Sequence, residues 1–127
     1  MMKAQIGEAA LHRLQINYCM HELPDGTLFF CRLPDGTMFN LLLSSQGTIC
    51  LWKFLCADMP EDAIGTQLFY CSPASPHGRV GFEVTEECDL RCFVEQTLCM
   101  EEHQIEEQVM LLVAAFCNLV NRLSPPQ

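Results

Sequence analysis

The sequence predicts an α+β domain. An antiparallel sheet, built as a meander and then a hairpin, is flanked by N-terminal, middle and long C-terminal helices. Three observations predict it. Leu23-Pro24-Asp25-Gly26-Thr27 recurs ten residues later as Leu33-Pro34-Asp35-Gly36-Thr37, placing turns between short apolar runs. Arg79 to Thr85 and Leu90 to Leu98 alternate apolar and polar residues around Glu86-Glu87. From Gln104 to Leu123 the apolar residues Ile105, Val109, Leu112, Val113, Phe116, Val120 and Leu123 recur at intervals of three and four, as on one face of a helix.

In chain order, residues 2–14 place Met2, Ile6, Ala10 and Leu14 on one side of a short amphipathic helix. Gly7 weakens it, and Ala9 and Ala10 let it approach a sheet closely. Ile16–Glu22, Leu28–Arg32 and Met38–Leu43 are too short for helices and read as strands joined by hairpins. Ser44-Ser45-Gln46-Gly47 is a further turn, and Thr48–Leu55 a fourth strand. Alternation here is imperfect, because Leu28-Phe29-Phe30, Leu41-Leu42-Leu43 and Leu51-Trp52 put apolar groups on both faces. Either both faces are covered within the chain, or one offers apolar surface to a partner.

Pro60–Cys71 is expected to be the middle helix. Pro60 suits its first position, Glu61 and Asp62 its first turn, and Ile64, Leu68 and Cys71 would line one face. Residues 72–78 have the composition of a loop. In the C-terminal helix, acidic residues crowd the first turns and Arg122 the last, which suits the helix dipole. Ser124-Pro125-Pro126 stops it. Val109 to Cys117 contains no strongly polar residue, so this helix should be covered by the sheet on one side and by a further helix or a second copy of the chain on the other.

One domain over residues 1–127 accommodates all of this, burying about two-thirds of its unfolded surface. No segment has the run of about 18 apolar residues that spans a membrane, and the N-terminus lacks a signal-peptide core. The expected location is therefore the cytosol. There the nine cysteines stay reduced, and each is by default a small buried hydrophobe. The net charge of −9 is lopsided: residues 1–60 hold four basic and five acidic groups, residues 61–127 three and eleven. Nucleic acid and anionic membrane are disfavoured as partners. The acidity suits either a solvated surface or basic, weakly structured polypeptides.

Chemical constellations are sparse. Cys88 and Cys92 have a spacing near that of zinc ligands, with Cys99 and His103 four apart, but the strand reading turns Cys92 into the core. His12, His21, His77 and His103 lie on unrelated elements, so no nucleophile–base pair is evident. Glu86-Glu87, Glu101-Glu102 and Glu106-Glu107 are adjacent pairs, and adjacent residues on a helix do not face each other. No catalytic residue, metal ligand or cofactor site is nominated.

The order of elements, the acidic C-terminal half and the pI of 4.7 resemble the class I type III secretion chaperones. The local likeness lies in Met59-Pro60-Glu61-Asp62, in Gly78-Arg79-Val80-Gly81-Phe82-Glu83-Val84, in the strand Leu90–Leu98, and in the ending Cys117-Asn118-Leu119-Val120-Asn121-Arg122-Leu123. A fourth meander strand and the cysteine richness depart from that pattern. The resemblance implies a secretion-chaperone-like fold and a cytoplasmic bacterial homodimer. Such a dimer, with no enzymatic activity, holds an extended segment of a secreted effector protein and keeps it export-competent. It implies dimerisation through the middle helix, here Ile64, Leu68 and Phe69, and client contact through Phe29, Phe39, Trp52 and Phe54. For each residue the competing reading is ordinary core. The fold also resembles bacterial regulators of the YbjN type, so a regulator or adaptor binding a folded partner is the alternative. A small thiol- or zinc-dependent enzyme is the third.

Overall fold

A computed structural model describes residues 3–70, 79–98 and 101–123. The order is α1 (Lys3–Arg13), β1 (Asn17–Leu23), β2 (Gly26–Arg32), β3 (Met38–Ser44), β4 (Thr48–Cys56), a 3-10 turn (Glu61–Ala63), β5 (Gln67–Tyr70), β6 (Arg79–Val84), β7 (Leu90–Thr97) and α2 (Glu102–Leu123). Among the described residues the strands form one seven-stranded sheet, ordered β1-β2-β3-β4-β7-β6-β5. Every pairing is antiparallel. The α+β class and the meander-plus-hairpin plan are as the sequence predicts.

The molecule has two layers. Phe29, Leu41, Leu51 and Val94 oppose one another across β2, β3, β4 and β7. They form the centre of the sheet's inner face and are buried there. Cys31, Phe39, Leu43, Ile49 and Cys92 extend that face. Ala10 and Leu11 of α1 close it together with Ile105, Val109, Val113, Phe116 and Val120 of α2. The Phe39 and Phe116 rings meet at 5.7 Å. Gln108 Nε2 donates to Thr97 O at 2.9 Å, and Leu98 N to Gly47 O at 2.7 Å, fixing the start of α2 against the sheet.

α1 rests on β2 and β3 through Gly7. A Cβ there would meet Phe29 Cζ at 2.7 Å and Leu43 Cδ1 at 2.9 Å. The glycine that costs the helix propensity is thus what lets it sit close. Tyr18 ties the same helix to β1: its hydroxyl donates to Glu8 Oε1 at 2.9 Å and lies 3.1 Å from His12 Nε2. Arg13 and Glu106 pair across the helices at 3.3 Å, but both side chains are solvated and the pair adds little.

The middle helix is a correction. Hydrogen bonding from Ala63 N to Pro60 O and Ile64 N to Glu61 O makes one turn only. Gly65 then takes φ 83°, and its N–H donates to Val84 O while Val84 N donates to Thr66 O. The backbone groups that a helix would use are committed to β6. Gln67–Tyr70 continues as a strand, with Leu68 opposite Phe82 and Phe69 opposite Gly81. A helix of this length is marginal without packing, whereas an adjoining strand satisfies the backbone at once. Cys71, the expected loop 72–78, Cys99 and the proline stop after α2 lie outside the described residues.

The described residues supply only part of the second cover expected over α2. α1 packs alongside, but Leu111 is 66% exposed, and Ala114 and Ala115 are exposed beside it.

Gly7→Ala should destabilise the fold despite better helix propensity. Overpacking against two buried side chains costs about 1–3 kcal/mol, against a propensity gain of at most about 1 kcal/mol. A lower urea midpoint at unchanged slope is the expected result.

Candidate functional site

The sheet's outer face is where the structure leaves apolar chemistry open. The cross-strand row Cys19, Phe30, Asn40, Trp52, Phe93 and Gly81 runs along it. A parallel row carries His21, Leu28, Leu42, Cys50 and Glu95. No described helix covers this face; both helices pack on the other. Phe30 is 39%, Met38 57% and Phe54 49% exposed. Phe30, Met38, Asn40 and Phe54, with Phe39 and Lys53, line a shallow cavity of about 240 Å³.

The two halves of the face differ. Over β4, β7 and β6 it is closed by its own side chains. Phe93 lies opposite the side-chain-free Gly81 and beside Trp52, and it is buried. The Arg91 guanidinium stands 5.5 Å from the Phe93 ring and 5.7 Å from the Trp52 ring, and it is paired with Glu83. Over β1 to β4 the face is open. Within its registered rows it holds Arg32 and His21 and no carboxylate among the described residues. The net charge of −9 therefore resides elsewhere, and this surface gives no reason to prefer a basic partner.

The four residues nominated for client contact divide. Trp52, half-buried, and Phe54, exposed, share the outer face. Phe29 and Phe39 are 0% and 3% exposed beneath the helices, so a surface role is corrected for both. Their neighbours Phe30 and Met38 take the exposed positions instead. Asn40 carried the missed signal. Its amide belongs on the outer side, which sends Phe39 inward, and the register opposite Phe30 sends Phe29 inward too. Of the nominated dimer residues, Ile64 is 40% exposed on the 3-10 turn, while Leu68 and Phe69 occupy consecutive positions of β5. They do not form a helical face.

Two further hollows lie near the end of α1. One, about 640 Å³ and open, is lined by His12, Gln15, Ile16, Asn17 and Tyr18. Burial, the Glu8 hydrogen bond and the Glu8 charge all raise the Tyr18 pKa, so its phenol stays protonated. The other, about 340 Å³, lies among Leu14, Leu33, Val113 and Cys117.

The cysteines sort by burial. Burial, with the nearby Cys117 adding, pushes Cys31 up to about 12. Burial also raises Cys92, whose Sγ donates to Lys53 O at 3.7 Å, and Cys117, where the Asp35 charge adds. Cys92 therefore faces the core rather than a site shared with Cys88. Among the described residues no three His, Cys, Asp or Glu side chains converge as a metal-holding group. No described helix is long and apolar enough to cross a membrane. Comparisons with family models, curated proteins and solved structures return no match.

A thiol held protonated is a poor nucleophile. Alkylation at about pH 8 should label the exposed Cys19 and Cys56 first and leave Cys31 and Cys92 unlabelled until the chain unfolds. Peptide mass mapping over a time course reads the order. Early labelling of Cys31 would contradict its placement.

Proposed function

We propose that the protein is a non-enzymatic binding protein that holds an extended, weakly structured polypeptide segment on the open half of its sheet. The observation that carries this reading is the exposed cluster Phe30, Met38 and Phe54 beside Trp52, on the open half of the face, whose registered rows over β1 to β4 hold no carboxylate among the described residues. A bound chain would set apolar side chains into the hollow around Met38 and Phe54, while the Asn40 amide offers hydrogen bonds to its backbone. The resemblance to type III secretion chaperones makes the client a secreted effector, kept export-competent in the bacterial cytoplasm. An adaptor for a folded partner is the alternative, and the open, shallow shape of the face favours an extended segment over it.

Each client side chain buried there contributes on the order of 1.5–3 kcal/mol. Met38→Glu with Phe54→Glu should therefore weaken binding of a permanently unfolded, carboxymethylated polypeptide about tenfold or more. Binding is read by the fluorescence of Trp52, the only tryptophan. Both residues are exposed, so circular dichroism should stay unchanged. Absence of binding by the wild type, or equal binding by a folded double variant, would overturn the proposal.

Self-association belongs to the same reading. We assign it to the exposed α2 stripe of Leu111, Ala114 and Ala115, because the middle helix that would have served is not formed. Light scattering at micromolar concentration should give twice the chain mass, and Leu111→Glu should return it to the single-chain value. A wild-type monomer would remove this part and leave the sheet face standing.

A further inference from the structure

We infer that the segment held on the open face is acidic as well as apolar, and that Arg32 receives one of its carboxylates beside the hollow of Met38 and Phe54, an inference that rests on the binding role proposed above. Register sets the charge beside that hollow. Asn17, Arg32 and Met38 oppose one another across β1, β2 and β3. Phe54, Arg91 and Glu83 do the same across β4, β7 and β6. Met38 and Phe54 line one hollow, so the two runs meet there with a guanidinium on either side. The two guanidiniums differ. Arg91 is paired with Glu83 and lies against the Phe93 and Trp52 rings. Arg13 on α1 is likewise paired, with Glu106. Arg32 is exposed and has no carboxylate partner among the described residues. Lys53 stands at the rim, its Nζ donating to Met38 O at 3.3 Å. Its charge also reaches Asp35 in the β2–β3 turn, whose carboxyl is held low first by hydrogen bonds from Thr37 and, less, by Lys53. Lys53 is therefore partly answered within the chain, and Arg32 is not.

A chain laid across Met38 and Phe54 shields Arg32 from water. A purely apolar chain leaves that guanidinium desolvated and unpaired, which costs binding. A carboxylate beside the apolar anchor removes the cost, because it accepts parallel N–H bonds from the guanidinium fork. The spacing fits. Arg32 and Met38 sit on adjacent strands about 4.8 Å apart, and alternate side chains of an extended chain recur on one side every ~6.6 Å. An acid two residues from an apolar anchor thus reaches Arg32. A basic side chain there would meet Arg32, Lys53 and the His21 ring, with no carboxylate in the registered rows of β1 to β4 to receive it. The net charge of −9 repels an acidic segment at long range, so the preference arises only at contact, inside a Debye length of about 10 Å.

The test uses synthetic peptides that share the same leucine anchors and carry glutamate, glutamine or lysine at the flanking positions. Binding to the full-length chain is read by the fluorescence of Trp52. The glutamate peptide should bind about fivefold more tightly than the glutamine peptide, as a partly shielded ion pair allows, and the lysine peptide most weakly. This ranking on the wild type needs no variant to fold. Arg32→Gln should remove the glutamate preference without weakening the glutamine peptide, and Arg32→Glu should reverse the order. Arg13→Gln makes the same change in net charge on α1, which packs on the opposite side of the sheet, and should keep the preference. Equal binding of all the peptides by the wild type would sink this inference and leave the binding role standing, whereas binding of none would remove both. Glutamate preference retained in Arg32→Gln, or lost in Arg13→Gln, would also overturn it. A changed mass of Arg32→Gln in light scattering would assign Arg32 to a contact between copies of the chain, and would overturn it equally.

Discussion

The structure depends on the burial of one apolar helix stripe against one sheet face. Val109, Val113, Phe116 and Val120 of α2 are almost wholly removed from water by Phe39, Leu41, Leu51 and their neighbours. The geometry of that contact then decides what remains open. Seven strands about 4.8 Å apart span roughly 29 Å, whereas two helices side by side cover about 20 Å. At 22 residues α2 runs about 33 Å, enough to span the sheet once. Helices so few can close one face and no more. The second face must fend for itself, and it does so unevenly.

On β4, β7 and β6 the outer face closes by side chains alone. A glycine opposite Phe93 leaves a recess, and Arg91 lies across both Phe93 and Trp52 while Glu83 holds its charge. On β1 to β4 the His21 ring meets Phe30 edge-on at 5.1 Å but leaves it exposed. Asn40 is polar but short, and Phe30, Met38 and Phe54 stay accessible. The contrast within one sheet separates a structural aromatic cluster from a surface available for contact.

How far this was legible in the residues follows from where periodicity is one-sided. The hairpin of β6 and β7 alternates except at Phe93, and the stripe of α2 has a single solution, so both were readable. The turns set by Pro24-Asp25 and Pro34-Asp35 located the meander strands. The faces were harder, because Phe29-Phe30 and Leu41-Leu42-Leu43 satisfy either parity on hydrophobicity alone. One amide, Asn40, breaks the tie through its register with Phe30 and Trp52. The misread middle segment has the opposite fault. Ile64 and Leu68 keep helical spacing and Pro60-Glu61-Asp62 makes a good start, but Gly65 interrupts the run. A strand partner in β6 then competes for the same backbone groups. Local pattern does not register that competition, since the partner is distant in sequence.

An open apolar face on a small domain invites self-aggregation, and the distribution of charge opposes it. Most carboxylates sit at α2 and on the loops at the ends of the strands, among them Glu101, Glu106, Glu107, Glu61, Asp62, Glu86 and Glu87, with Glu83 and Glu95 on β6 and β7. A net charge of −9 repels other copies at a distance of about a Debye length, roughly 10 Å in dilute salt. The repulsion acts from the periphery and leaves the face itself undiluted. Here the acidic groups surround the apolar surface without entering its open half. That arrangement leaves an apolar surface exposed inside an acidic surround, as the proposed binding face requires.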